Sequence, residues 1–465
     1  MDHSIFFVGD DSVVAPLRQM LEGHSLTLKS LWGFDVDLAL TLLTATKVPT
    51  LIIDCQSDSI PPTTISLLQK LAARAITAIN VVTVGNGFVP TSLAASLDVL
   101  GAEQFAITSR GIVRDEARFL EVLKAPTARP VPESRHIDVF GVQLKTYTPE
   151  FFRTVDDLVR VADRNVTVLL VGETGAGKTT LAKIVHSYSQ RRGHPFQHLA
   201  CGALPPDLIE SELFGHVRGA FTGADRNKVG RFQAAGRGTL LLDEIDALDV
   251  KQQTKLLKVI EIGEYELVGS PDMQKSEARL IVASNVNLQE LADQGKFRLD
   301  LYYRLNVLEF RLPSLRERPL DLVSLAVQFI EELEAELDIV VKRVSCDFLN
   351  SLRIYDWPGN LRELKNHLRR AVLFCSNDEL TVNDLSHKVI QRQFAPTIER
   401  KPPESSWRLN ERVAQSEKEM LRDALDANGN NRTRTAKALG INRVGLYKKL
   451  RRLGLIGETE ELAPA

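Results

Sequence analysis

VLLVGETGAGKTT, residues Val168 to Thr180, decides how the rest of the chain is read. Inside it Gly172, Glu173, Thr174, Gly175, Ala176, Gly177, Lys178 and Thr179 form an unbroken G-x-x-x-x-G-K-[ST]. An apolar run leads in like a buried strand. Leu181, Ile184 and Val185 lead out at helical spacing, which is the context the motif requires. The glycines let backbone N–H groups curl round a polyphosphate with no Cβ in the way. Lys178 brings a charge to the outer phosphates and Thr179 a hydroxyl to Mg²⁺, with Thr180 beside it. The pattern predicts an α/β nucleotide-binding domain that takes ATP and Mg²⁺.

About sixty residues downstream, Gly238-Thr-Leu-Leu-Leu-Asp243-Glu244 is an apolar strand ending in two acids. After a P-loop this reads as a Walker B pattern. Asp243 is expected to hold Mg²⁺, and Glu244 to orient the attacking water as general base.

The chain has 465 residues, a soft prior of about three domains. With 44% hydrophobic and 25% charged residues it has the composition of a globular protein. A net charge of −2 means that any affinity for nucleic acid must be local. Cys55, Cys201, Cys346 and Cys375 lie far apart and make no metal spacing, which suits a reducing compartment. No apolar run approaches the ~20 residues that span a membrane, and the N-terminus has no signal-peptide pattern. A cytoplasmic chain with no membrane partner is expected.

Residues 1–125 alternate strand-like and helix-like segments, which argues for a parallel, doubly wound sheet. Asp10, Asp11 and Asp54 fall at carboxyl ends of strands, where such folds place their sites. The arrangement resembles a response-regulator receiver domain. The resemblance makes Asp10 and Asp11 metal-binding acids and Asp54 the candidate phosphoacceptor. Two positions depart from it: the family's lysine on the last strand falls at Thr108, and its Thr/Ser after the fourth strand falls near Gly85. A degenerate receiver used for dimerisation or another signal, a working phosphoreceiver and an unrelated α/β sensor all fit the residues. Ala125 to Glu133, with its prolines, reads as a linker to a larger α/β domain over 136–391.

Between the two nucleotide motifs, Glu210 to His216 (ESELFGH) leads to Gly219-Ala220-Phe221-Thr222-Gly223-Ala224. GAFTGA in this place resembles the signature loop of bacterial enhancer-binding proteins, AAA+ activators of RNA polymerase carrying sigma-54. The resemblance implies that this loop touches sigma-54 and delivers the force of ATP hydrolysis. It extends through about 250 residues of the α/β domain. Asn285 matches sensor I, Arg298 and Arg304 the arginine fingers that reach a neighbouring subunit's nucleotide, and Arg362 sensor II on a helical lid. Two further departures stand out. Thr179 replaces the Glu frequent after the P-loop lysine. Ala200 replaces the Asn that restrains the Walker B glutamate, so the coupling of hydrolysis to the target is expected to be looser or built differently.

Residues 392–408 are polar and Pro-rich, and read as a flexible linker. The segment 409–456 is expected to be all-α. Leu409, Val413, Met420, Leu421, Ala424 and Leu425 recur at helical spacing on a dimerisation helix. From Asn430 to Leu455 there are eight basic residues and no acidic one. Helix, turn, helix is the expected order, with Leu446, Leu450 and Leu453 on the buried face of the second helix. Arg432, Arg434, Arg443, Val444, Lys448 and Arg451 are the candidate DNA contacts. The segment resembles the Fis-type DNA-binding domain that ends this activator family. Together these resemblances imply an ATP-driven activator that binds double-stranded enhancer DNA and remodels the sigma-54 RNA polymerase holoenzyme, with dimers assembling into a hexameric ring. A second class fits the residues too: a nucleotide- or second-messenger-gated DNA-binding regulator that does not remodel polymerase.

Overall fold

The computed structural model describes residues 5–390 except 32–34, 47–48, 57–59, 74–78, 109–112, 125–130 and 387, and beyond them Leu421, 434–436, Leu446 and Leu450. The chain forms two compact units, Met1–Phe394 and Ala395–Ala465. Among the described residues no helix is long and apolar enough to cross a membrane.

The first unit opens with β1 (Ile5–Val8), β2 (Leu28–Ser30), β3 (Thr50–Asp54), β4 (Asn80–Gly85), β5 (Phe88–Pro90) and β6 (Glu103–Ala106). Five of these make a parallel sheet in the order β2-β1-β3-β4-β6. Helices α1 (Asp11–Gly23), α2 (Val36–Ala45), α3 (Pro62–Ala73), α4 (Thr91–Val99) and α5 (Glu116–Lys124) provide the crossovers. Every residue of β1, β3 and β4 is buried, as parallel strands covered on both faces must be, and that is why apolar residues dominate them.

A second parallel sheet follows, in the order Phe196–Ala200, Thr239–Asp243, Arg279–Ser284, Val168–Val171, Glu309–Arg311. The P-loop strand lies inside this sheet, and the two acids leave the carboxyl end of Thr239–Asp243. Three helices then form a lid: a long one (Pro319–Leu337), a second (Cys346–Ile354) and a third (Asn360–Phe374).

The N-terminal sheet and the lid share one core. Leu67, Leu71, Leu93 and Leu97 of α3 and α4 belong to the same apolar cluster as Val323, Ile330, Phe348 and Leu352 of the lid. The short β5 pairs antiparallel with lid strand Arg343–Ser345, and Val89 faces Val344. Thr91 N–H donates to the Lys342 carbonyl at 3.0 Å, and its hydroxyl to the Val341 carbonyl at 2.7 Å. The boundary expected near residue 125 thus marks a change of sheet, with the core continuing across it.

Candidate active site

Gly175 and Gly177 have φ of +78° and +109°, values an L side chain rarely adopts. Gly177 caps the helix Lys178–Ser187, so the free N–H groups of the first turn face the loop. Lys178 Nζ is folded into the loop, donating to the carbonyls of Gly172 at 2.7 Å and Glu173 at 3.1 Å. Burial lowers its pKa, while the charges of Asp243, Glu244 and Asp246 oppose that shift. The negative charges of these acids thus favour the ionised form of the buried ammonium.

Burial would raise the Asp243 carboxyl, yet His198 and the Lys178 charge outweigh it and hold Asp243 below the usual carboxylate range. His198 Nε2 lies 3.7 Å from Asp243 Oδ2. This contact was not anticipated from sequence; the register that puts Phe196–Ala200 beside Thr239–Asp243 creates it. Glu244 follows with φ 55° and ψ 49°, a left-handed backbone at the strand end. Asn285 Nδ2 donates to Thr174 Oγ1 at 3.2 Å, tying the sensor I position to the P-loop. Its buried Oδ1 has no hydrogen-bond partner.

The lid closes on the loop from the other side. Leu361 N–H donates to the Gly175 carbonyl at 3.0 Å, and Arg318 Nη2 to the Ala176 carbonyl at 3.1 Å. Buried Asn360 donates to Glu173 Oε2 at 3.0 Å and to the Thr174 carbonyl at 3.1 Å. Arg316 forms a two-pronged pair with Glu173, one arm at 2.9 Å, and this lowers the Glu173 pKa. Between loop and lid is a cleft of about 370 Å³, lined by Gly175, Gly177, Lys178, Thr179, Thr180, Asp243 and Arg362 among others. Lys365, Asn366 and Arg369 line it too and were missed. Their spacing from Arg362 (three, four and seven residues) puts them on one helix face and was the available signal.

Arg298 and Arg304 are not part of this cleft. Arg298 pairs with Asp300 at 2.6 Å and donates to Thr254 Oγ1 at 3.2 Å; Arg304 pairs with Glu261 at 3.0 Å. They flank a surface where Leu299, Tyr303 and Val307 are exposed. The 219–224 loop folds on itself: Gly219 N–H donates to the Ala224 carbonyl and Ala224 N–H to the Phe221 carbonyl. Gly219, Phe221, Thr222 and Gly223 are exposed, Ala220 is half-buried and Ala224 is buried. The Phe221 ring meets His216 edge-on at 4.9 Å, and His216 is held by Ser211 at 2.7 Å.

In the N-terminal sheet, Asp54 is only 3% exposed, and its oxygens accept the N–H groups of Gln56 (2.8 Å) and Asp10 (3.3 Å). The side chain of Asp11 lies outside the described residues. So do Arg432, Arg443, Val444, Lys448 and Arg451. Arg434 is exposed on a helical turn. Leu446 and Leu450 are buried, as the sequence pattern requires, and so is Leu421.

The cleft residues fit ATP with Mg²⁺. Left-handed glycines and a helix N-terminus form the phosphate cradle, a lysine and a threonine hydroxyl lie in sequence, and Asp243 is kept ionised opposite them. A five-stranded parallel sheet with P-loop, Walker B acids and helical lid defines an AAA+ ATPase domain. Residues 144–311 match the Sigma-54 interaction domain, 316–401 the AAA+ ATPase lid domain, and 412–453 the bacterial regulatory protein, Fis family. The chain is 38% identical over 327 residues to the DNA-binding transcriptional regulator NtrC of Rhizobium meliloti, covering 64% of this chain and 67% of that one. It is 34% identical over 382 residues to the anaerobic nitric oxide reductase transcription regulator NorR of Citrobacter koseri, covering 78% and 75%. The crystal structure of NtrX from Brucella abortus in complex with ATP superposes with a TM-score of 0.51 at 25% identity, over 98% of this chain and 100% of that one. The chain belongs to the sigma-54-dependent enhancer-binding proteins, transcriptional regulators that combine an AAA+ ATPase domain with a DNA-binding helix-turn-helix.

Proposed function

We propose that this chain is a cytoplasmic activator in which a ring of subunits, a hexamer by family resemblance, turns ATP hydrolysis into opening of a sigma-54 promoter. The observation carrying this reading is that one domain holds a cleft lined by the P-loop, Asp243 and Arg362 together with an exposed loop at 219–224. Thr179 and Asp243 would hold Mg²⁺, which when bound shields the phosphate charge. Lys178 and Arg362 face the cleft as fixed cations. Glu244 takes the proton from the attacking water, and Asn285 holds the P-loop threonine. Arg298 and Arg304 lie outside their own cleft on a partly apolar surface, which supports their use against a neighbour's nucleotide. Dimers would bind paired sites on enhancer DNA through 430–455.

Phe221 and Thr222 offer no chemistry to a nucleotide. Thr222→Ala should therefore leave the ATPase rate and DNA binding within about twofold of wild type. Promoter opening by sigma-54 polymerase should fall by about 10²-fold or more, since hydrolysis is no longer delivered. Both quantities are measured on one preparation, ATPase by phosphate release and opening by permanganate footprinting. Full opening by this variant would overturn remodelling and favour a regulator that only binds DNA.

A further inference from the structure

We infer that Gly202 is a positioning residue for Glu244: its missing Cβ leaves the seat in which the Glu244 carboxylate rests clear of the nucleotide cleft. The inference deepens the proposed mechanism and rests on Glu244 being the general base.

The left-handed backbone at Glu244 turns the chain sharply just after Asp243. The side chain is thereby laid against the short turn Cys201–Ala203 that follows strand Phe196–Ala200. A Cβ built on Gly202 would lie 2.1 Å from Glu244 Oε2, 3.1 Å from its Cδ and 3.4 Å from its Cβ. These are the three nearest atoms, so the space Gly202 leaves open is filled by this one side chain. The carboxylate accepts no hydrogen bond from any described residue. Its backbone N–H donates to Asp243 Oδ1 at 3.0 Å, which fixes the main chain but ties no atom of the side chain. Ala200 stands opposite Asp243 in the strand register, and its methyl group cannot tether an acid. The cleft is lined by Asp243 but not by Glu244.

Glu244 is thus held by shape, without a hydrogen-bonding tether. Such a seat is shallow, because leaving it breaks no polar contact. A methyl group at 202 should evict the carboxylate at little structural cost, since Gly202 is exposed, its φ lies outside the left-handed region and the clashing atoms are the tip of a flexible chain. The evicted acid then spends more time facing the cleft.

The test is steady-state ATP hydrolysis by the full chain without polymerase, in wild type, Gly202→Ala, Glu244→Gln and the double variant. Gly202→Ala should raise kcat roughly three- to tenfold with an unchanged KM for ATP, because a larger fraction of molecules has the base in place. Hydrolysis should vanish in both chains carrying Glu244→Gln. An unchanged or lowered kcat in Gly202→Ala, or kcat and KM shifting together, would overturn the seat while leaving the base intact. Wild-type hydrolysis by Glu244→Gln would instead remove the base assignment itself. If Gly202→Ala does not fold, a crystal structure of the unaltered chain with Mg²⁺ and a non-hydrolysable ATP analogue answers the same question. The carboxylate should have left Gly202; finding it still there with nucleotide bound would overturn the inference that the seat is shallow and releases the base.

Discussion

The first unit contains two five-stranded parallel sheets, each with acids at the carboxyl ends of its strands, and they use that edge in opposite ways. In the ATPase sheet the edge is open: Asp243 and the P-loop line a cleft, and the lid touches the loop without filling it. In the N-terminal sheet the same edge is covered at Asp54. Asp54 is buried and tied by two backbone N–H groups. Next to it Arg343, from the lid, donates to the Cys55 carbonyl at 3.2 Å and the Asn86 amide oxygen at 2.7 Å, with Phe88 under its guanidinium. A parallel sheet supplies a place for chemistry, but what covers its carboxyl edge decides whether chemistry can happen there. In this molecule the lid reaches both edges: it sets Arg343 beside Asp54 at one and faces the P-loop across a cleft at the other.

Substitutions at the two edges should therefore differ sharply. The largest effect is expected from Lys178→Ala, which removes the cation at the centre of the open edge. Hydrolysis should fall by about 10²–10³-fold, and binding of a fluorescent ATP analogue should weaken with it. Arg343→Ala should behave in another way, as the loss of a joint. It leaves the Asn86 and Cys55 acceptors without their buried donor, a loss of about 1–3 kcal/mol. Thermal unfolding should shift down while the KM for ATP stays within about twofold. A large change in KM with no change in unfolding temperature would mean that the closed edge signals to the cleft.

The smallest effect is expected at Asp54. Burial raises its pKa above the unfolded value, and the N–H groups of Gln56 and Asp10 pull it back only in part. An acid whose pKa rises on folding is penalised when ionised, so the penalty is present at neutral pH and fades as pH falls through the raised pKa. Asp54→Asn should keep stability at pH 7 within about 1 kcal/mol of wild type or increase it. It should also flatten the pH dependence and leave promoter opening unchanged. Lost opening in this variant would show that the closed edge is used covalently after all.

The open edge was legible in the sequence because its parts are local. Gly172 to Thr179 is contiguous, Asp243-Glu244 ends one apolar strand, and Gly219 to Ala224 is a single loop. The closed edge was not. Phe88–Pro90 and Arg343–Ser345 are three-residue strands, too short to show a period, and they meet across most of the unit. The acidic positions of the first sheet were found, yet nothing in Asp54 or its neighbours shows that an arginine from the lid would lie beside them. The lid contacts to Glu173 were also missed. Arg316 lies in the short turn Leu315–Glu317 and Asn360 opens the third lid helix, and the two converge only when that helix packs over the loop.

The pairing of Thr91 with Val341 spans 250 residues, and this has a consequence during synthesis. At about 5–20 residues per second, roughly 12–50 s separate emergence of α4 from emergence of the lid strand that covers it. For that interval Leu93, Leu97 and Val89 are without their permanent cover. The N-terminal sheet must leave the ribosome with an apolar flank, and either a chaperone or the slow arrival of its own C-terminal half must shield it.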